Sequence, residues 1–235
     1  MASLSFVVVV PVGAGEAPPP EIFFERVSGD PSHTPPPLLV AAAHEGISWN
    51  VREAFANAGA RLHLSPAPRG QRLREAAASS PSEEILLFLH CDTLLPVGWE
   101  TEVRAALVRG AAGGAFRLGF AGGDPRMARV AAWANLRTRF TRVPYGDQAP
   151  FVRRDVYERL GGHAPWPFLE DWDFSRRLRD AEGRARVALL RACVETSPRR
   201  YLEKGVWKTV RRNWEILRRV KRGEAPARLA ALYRS

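Results

Sequence analysis

The residues most able to do chemistry fall in two acidic clusters, His90-Cys91-Asp92 and Glu170-Asp171-Trp172-Asp173. A carboxylate such as Asp92 at a strand end can hold Mg2+ or Mn2+, hard cations that take oxygen ligands and keep several waters. It can equally cap the turn that follows. A carboxylate of the second cluster can serve as a general base if it faces a pocket. Three acids opening a helix are also explained by the helix dipole alone. Trp166 and Trp172 flank the second cluster; they suit a sugar-ring platform, and core packing suits them as well. Pro68-Arg69-Gly70-Gln71-Arg72 opens another helix, where guanidinium groups and helix-terminal N–H groups suit phosphate; a solvated basic helix start is the alternative. Tyr145-Gly146-Asp147-Gln148 is either a pocket wall or a simple turn.

These residues need elements to position them. Ile85 to His90 is a nearly unbroken apolar run, too short for an ordinary helix, and reads as a buried strand delivering Asp92 at its carboxyl end. In open α/β sheets, ligands sit beyond the carboxyl ends of the strands. Further strands are expected at Leu4–Val10, Leu38–Ala43, Ala60–Leu64, Gly113–Phe120, Gln148–Val152 and Arg186–Leu190. Helices are expected at Glu21–Val27, from a Ser48 cap to Ala58, and at Arg69–Ser79. One is expected from Pro96 to Arg109, another from an Asp124 cap to Phe140. Three more are expected at Asp155–Leu160, Asp171–Ala181 and Lys204–Arg222. The last is one long amphipathic helix, with Val206, Val210, Trp214, Leu217 and Val220 on one face and Trp207 beside Trp214. Strands alternating with helices through the first half imply parallel pairing with right-handed crossovers.

Composition sets the limits. The 235 residues are 46% hydrophobic, enough for a sizeable core and against wholesale disorder. The formal charge is +10, from 35 basic and 25 acidic residues, and lysine occurs only at Lys204, Lys208 and Lys221. Arginine holds phosphate at two points, so phosphate-bearing partners fit the sign of the charge. The basic residues are spread along the chain and form no nucleic-acid module, so nucleic acid is not expected as a partner. Cys91 and Cys193 lie far apart in no metal-type spacing, which fits a reducing compartment. The expected location is cytoplasmic, with the basic C-terminal helix a candidate for peripheral contact with the inner membrane.

Taken in order, the motifs resemble a family 2 glycosyltransferase of the GT-A fold. The likeness is nearest to small stand-alone bacterial members associated with radical-SAM and selenoprotein-like genes. The residues that carry it begin at Ala67-Pro68-Arg69-Gly70 and Leu87-Phe88-Leu89-His90-Cys91-Asp92-Thr93, with Pro96-Gly98-Trp99. Gly146-Asp147-Gln148, Phe151-Val152-Arg153-Arg154 and Leu160-Gly161-Gly162 follow. Glu170-Asp171-Trp172-Asp173 with Ser175-Arg176-Arg177-Leu178, then Thr196-Ser197 with Arg199-Arg200, complete the set. It spans roughly three quarters of the chain.

The resemblance implies a mixed, mostly parallel α/β sheet flanked by helices, with C-terminal helices, in one domain. Residues 1–95 would form its nucleotide-binding half, 96–200 its acceptor and catalytic half, and 201–235 amphipathic C-terminal helices. It implies an inverting transfer of a sugar from a nucleotide-sugar to an acceptor hydroxyl, on a small-molecule or lipid-linked acceptor, assisted by Mg2+ or Mn2+. Asp92 would be the metal ligand, and His90 stands where the family's metal motif has its first Asp. Asp171 would be the catalytic base and Glu170 its orienting neighbour. Pro11, Glu16, Arg69, Arg72, His90 and Asp92 would face the donor. Gly146, Asp147, Gln148 and Trp172 would face the acceptor. The first third departs from the family: Pro11-Val12-Gly13-Ala14-Gly15-Glu16 replaces Pro-x-Leu-Asn-Glu, and Val40-Ala41-Ala42-Ala43-His44-Glu45-Gly46 replaces the segment whose Asp helps hold the nucleotide base. The alternative reading is therefore a degenerate, non-catalytic relative that binds a nucleotide or a partner.

Overall fold

The structure is a computed structural model and describes residues 4–31, 34–43, 45 and 47–234. His44 and Gly46, part of the altered segment after the second strand, lie outside the described residues. In chain order the strands are β1 (Phe6–Val12), β2 (Leu38–Ala43), β3 (Arg61–Ser65), β4 (Ile85–Phe88), β5 (Thr93–Leu94), β6 (Gly113–Phe120), β7 (Phe151–Arg153) and β8 (Val187–Thr196). The helices are α1 (Glu21–Ser28), α2 (Trp49–Asn57), α3 (Arg69–Ala78), α4 (Trp99–Val108), α5 (Pro125–Thr141), α6 (Arg154–Arg159), α7 (Glu170–Glu182), α8 (Arg199–Lys204), α9 (Val206–Lys221) and α10 (Pro226–Arg234). The described strands form one eight-stranded sheet in the order β3-β2-β1-β4-β7-β6-β8-β5.

The first four strands pair in parallel, as the alternation of elements requires. β7 runs antiparallel between β4 and β6, and β5 runs antiparallel to β8. The fold is therefore mixed and mostly parallel, with helices on both faces. Both-face burial explains the unbroken apolar runs of β1 and β4. Val8, Val10, Leu87 and Leu89 pack with Phe23, Phe55 and Trp99 on one face. Val7, Val9, Leu86 and Phe88 pack with Leu73, Tyr157 and Phe174 on the other. Each such side chain, fully buried, contributes about 1.5–3 kcal/mol.

Several elements differ from expectation, each for a physical reason. The helix expected from Pro96 begins at Trp99, because Thr93 and Leu94 pair with Thr196 and Glu195 and Gly98 then turns through a left-handed conformation (φ 71°). β8 continues to Thr196 because β6 and β5 together extend its hydrogen-bonded partners past Leu190. The strand expected from Gln148 begins at Phe151. Gly146–Gln148 is instead a 3-10 turn, closed by the Tyr145 N–H donating to the Gln148 side chain (3.3 Å).

The helix expected over Lys204–Arg222 is α9 (Val206–Lys221), separated at Gly205 (φ 85°) from the short α8 before it. Its buried face is Val206, Thr209, Ile216 and Val220, so Trp207 and Trp214 point outward at 58% and 64% exposure. Packing rather than hydrophobicity chose that face. Ile216 and Val220 complete a third cluster with Val143, Phe168, Trp172 and Leu229.

Candidate functional site

The site lies at the carboxyl ends of β1 and β4. Glu16, Cys91 and Asp92 line a cavity there of about 360 Å³, with Ser197, Arg199 and Arg200 on the opposite wall. A cavity of similar volume occurs at the other end of the strands, between Leu4, Glu83 and Arg154. The carboxyl-end rule favours the first. Backbone pairing builds its far wall: the Ser197 N–H donates to the Asp92 carbonyl (3.0 Å), and the buried Thr93 hydroxyl donates to that of Thr196 (2.9 Å). Arg199 and Arg200 are thereby carried to the cavity from far down the chain.

Two carboxylates meet on the near wall. The Cys91 thiol donates to Glu16 Oε2 (2.9 Å), which fixes the Glu16 side chain beside the Asp92 loop. Burial and then the Glu16 charge raise the Asp92 pKa, and Arg200 works against them. Burial and the same Glu16 contact push the Cys91 thiol far up, so it stays protonated. The Glu16–Asp92 pair is a hard-oxygen donor set whose repulsion a divalent cation would relieve. No group of three or more His, Cys, Asp or Glu side chains among the described residues is placed to hold a metal ion. A cation held by Glu16 and Asp92 would need further oxygen ligands from phosphate or water.

The second half of the site gathers around α3 and the start of α7. Arg69 Nε donates to Glu170 Oε1 (2.6 Å), and Arg69 Nη2 lies 2.8 Å from His90 Nε2. One guanidinium thus ties the helix opening at Pro68 to both acidic clusters. Burial raises the Glu170 pKa against the pull of Arg69. Burial, with Arg69 and Arg200 next, holds His90 well below its ordinary value, so its ring is neutral and Nε2 accepts. Burial and then Arg69 lower the Arg72 pKa, while Glu170 and Glu16 raise it, which puts Arg72 between the two halves. Its Nη1 donates to the Ala67 carbonyl (2.9 Å), and its Nε is buried with no hydrogen-bond partner among the described residues.

Asp171 closes the arrangement. Its Oδ1 accepts from the Trp172 N–H (2.7 Å), and its Oδ2 accepts from the Gly146 N–H. A side chain at Gly146 would put its Cβ 2.7 Å from His90 Nε2 and 2.8 Å from Asp171 Oδ2, so glycine is required for this approach. Leu169 enters α7 at φ 59°, a left-handed conformation that costs a bulky residue on the order of 1–3 kcal/mol and is held by the packing around it.

Next to Gly146, burial raises the Asp147 pKa to about 6; Arg137 opposes this, and the charges of Asp171 and Asp92 add to it. Its Oδ1 is buried with no hydrogen-bond partner among the described residues. Asp147 therefore stands within electrostatic reach of both acidic clusters.

That shift has a consequence for stability. The ordinary Asp value is 3.8, so as pH rises the unfolded chain loses this proton before the folded one does. The penalty develops between about pH 4 and about pH 6 and is fully present above. Asp147→Asn is expected to raise the melting temperature at pH 8 and to change it little at pH 4, which thermal unfolding at the two pH values measures.

Of the sequence candidates, Glu16 and Asp92 line the carboxyl-end cavity; Arg69, Arg72, His90, Gly146, Asp147, Glu170 and Asp171 do not, and Pro11, Gln148 and Trp172 are taken up inside the fold. Pro11 is buried within β1, opposite Ala41 of β2. Gln148 is 1% exposed and its amide is engaged inside the fold, accepting from Thr138 Oγ1 (2.8 Å) and donating to the Phe116 carbonyl (3.2 Å). It shapes the 146–148 turn rather than meeting a ligand. Trp172 is 8% exposed, its ring packed among Phe168, Ile216 and Val220. Three lining residues, Ser197, Arg199 and Arg200, belong to the motif Thr196-Ser197-x-Arg199-Arg200, but nothing local in the sequence marks them as cavity residues.

No family model matches the chain, and no curated protein matches it in sequence. Solved structures do match in fold. S. aureus TarS superposes with a TM-score of 0.58 at 14% identity, over 89% of this chain and 40% of that one. GalNAc-T7 with UDP, GalNAc and Mn2+ gives 0.57 at 13%, over 83% and 44%. Glucosyl-3-phosphoglycerate synthase from Mycobacterium tuberculosis, with Mn2+, UDP-glucose and phosphoglyceric acid, gives 0.52 at 16%, over 83% and 71%. The chain thus spans less than half the length of the first two. What it shares with all three is the GT-A fold, a mixed, mostly parallel sheet between helices.

Proposed function

We propose that the chain is an inverting, metal-assisted glycosyltransferase of family 2, moving a sugar from a nucleotide-sugar to an acceptor hydroxyl. The observation that carries this reading is Arg69, whose guanidinium meets Glu170 (2.6 Å) and His90 (2.8 Å) and so joins the two acidic clusters although they lie far apart in sequence. In this reading Asp92 and Glu16 would hold Mg2+ or Mn2+. The bound ion would supply Lewis-acid stabilisation of the departing diphosphate.

The rest is the work of this chain's side chains. Arg69, Arg72 and Arg200 add positive charge where negative charge grows on the leaving group. Asp171 takes the acceptor O–H proton as that oxygen bonds to the anomeric carbon and the bond from that carbon to the diphosphate oxygen breaks. Glu170 anchors Arg69, and the Gly146–Asp147 turn lines the acceptor side. Residues 1–95 then form the nucleotide half, 96–200 the acceptor half and 201–235 a helical appendage.

The neighbours' UDP makes UDP the first nucleotide to test. UDP with Mn2+ is expected to raise the melting temperature, with the logarithm of ligand excess, and EDTA to remove the rise. UDP-sugars with a panel of acceptor alcohols should release UDP. No shift with any nucleotide would overturn the reading.

The end of β2 favours a second reading. Ala41, Ala42 and Ala43 offer no carboxylate where the resembled family holds the nucleotide base. Nucleotide binding by calorimetry without any turnover would assign the chain to a non-catalytic binding role.

A further inference from the structure

The outer face of α5 is apolar where a helix packed on a sheet should be polar. Its inner face is well used. Met127, Ala131 and Thr138 are buried, and the Asn135 side chain bonds both the N–H (2.8 Å) and the carbonyl (2.9 Å) of Leu118 in β6. On the other side Trp133, Leu136 and Phe140 stand 62%, 51% and 66% exposed. Their spacing of three and four residues puts them in one stripe along the helix. Arg129 and Arg139 flank the stripe and are exposed. The helix contains no aspartate or glutamate from Pro125 to Thr141, and the one acid at its start, Asp124, is paired with Arg126 (2.7 Å).

Large apolar side chains left in water mark an interaction surface. The charge pattern selects the partner. An aromatic and aliphatic stripe bordered only by arginine is the pattern of a helix lying in a lipid interface, with tryptophan at headgroup depth and guanidinium groups on anionic lipid. A protein partner of mixed charge would bring cations as well as carboxylates, and α5 offers no acid to meet them. We infer that α5 docks this protein onto the surface of an anionic bilayer through Trp133, Leu136 and Phe140, with Arg129 and Arg139 on the lipid headgroups.

The C-terminal helix is the weaker candidate for this contact. Its exposed Trp207 and Trp214 are joined on α9 by Glu215, which pairs with Arg218 (2.8 Å) and so consumes part of the basic face. No described helix is long and apolar enough to cross a membrane, so the contact proposed is interfacial. It also has a direction. α5 runs through Arg142 into Tyr145 and the turn whose Gly146 N–H holds Asp171. A docked α5 brings the Gly146 turn and Asp171 near the membrane, which suits an acceptor carried by a lipid. This last step rests on the proposed transfer; the docking does not.

Cosedimentation of the full chain with vesicles tests the docking without any sugar donor, so its outcome is independent of the proposed reaction. Vesicles of phosphatidylcholine and phosphatidylglycerol in equal parts should pellet the protein, and phosphatidylcholine alone should pellet much less. The Trp133→Ser/Leu136→Ser/Phe140→Ser variant should bind at least about tenfold more weakly, given three exposed apolar side chains. Arg129→Gln/Arg139→Gln should weaken binding to the anionic vesicles by about tenfold at low salt. Unchanged circular dichroism and melting temperature show that these surface variants fold. Three results would overturn the inference: wild-type protein left in the supernatant, undiminished pelleting of the triple variant, or loss of binding only with Trp207→Ser/Trp214→Ser. A self-association that the triple variant abolishes, with no vesicle binding, would assign the face to a second copy and also overturn it.

Discussion

Asp171→Asn is expected to lower sugar transfer by about 10²–10⁴-fold, the range a positioned general base supplies. The substitution keeps the side-chain shape and removes the proton acceptor. It also removes one of two accepted hydrogen bonds, since Asp171 receives both the Trp172 and the Gly146 N–H groups and an amide has a single oxygen. The structural cost is therefore about 1 kcal/mol, that of a typical hydrogen bond. Nucleotide affinity should be unchanged, because Asp171 does not line the cavity that Glu16 and Asp92 line. Transfer assays with the variant, run beside a calorimetric titration of UDP and Mn2+, separate the two effects. Undiminished turnover would remove Asp171 from the mechanism.

Arg69→Ala is expected to be the most destabilising substitution at the site, by about 3–5 kcal/mol, because it strands a buried charge. Glu170 has a side-chain exposure of 2% and its Oε1 is held by Arg69 Nε at 2.6 Å. Without the guanidinium, Glu170 must either keep an unpaired charge in the interior or take a proton. Burial already raises its pKa, so protonation is the easier escape at low pH. The sign follows directly: an acid whose folded pKa is raised is penalised more as pH rises, so the loss should be larger at pH 8 than at pH 5. The Arg69→Ala/Glu170→Gln double variant should recover part of the stability, since the stranded charge is gone. Denaturant unfolding of the single and double variants at both pH values measures this. A double variant no more stable than Arg69→Ala alone would show that the ion pair is not the source of the loss.

Arg69 also shows how far sequence reasoning reaches at this site. Its position at a helix opening was legible from Pro68, which sets the helix start; the Gly70 N–H there donates to the Trp166 carbonyl (2.9 Å). That Arg69 would bridge Glu170, 101 residues away, and His90, 21 residues away, was not legible. Local sequence holds no record of which helix end meets which strand end. Gln148 fails in the opposite direction. A polar residue in a turn suggests a ligand contact, but its amide serves Thr138 and Phe116 inside the fold.

The sequence by itself determined the buried parallel strands, the helices between them and the two acidic clusters. The reason is that apolar runs, proline and glycine positions and caps act over a few residues, through burial and backbone sterics. Tertiary structure alone decided the antiparallel insertion of β7, the 3-10 turn at Gly146, the outward turn of Trp207 and Trp214 and the arrival of Arg200 at Asp92. Each of these depends on a contact between segments distant in the chain, where packing and the pairing of buried charge select one partner among many that the local sequence would permit.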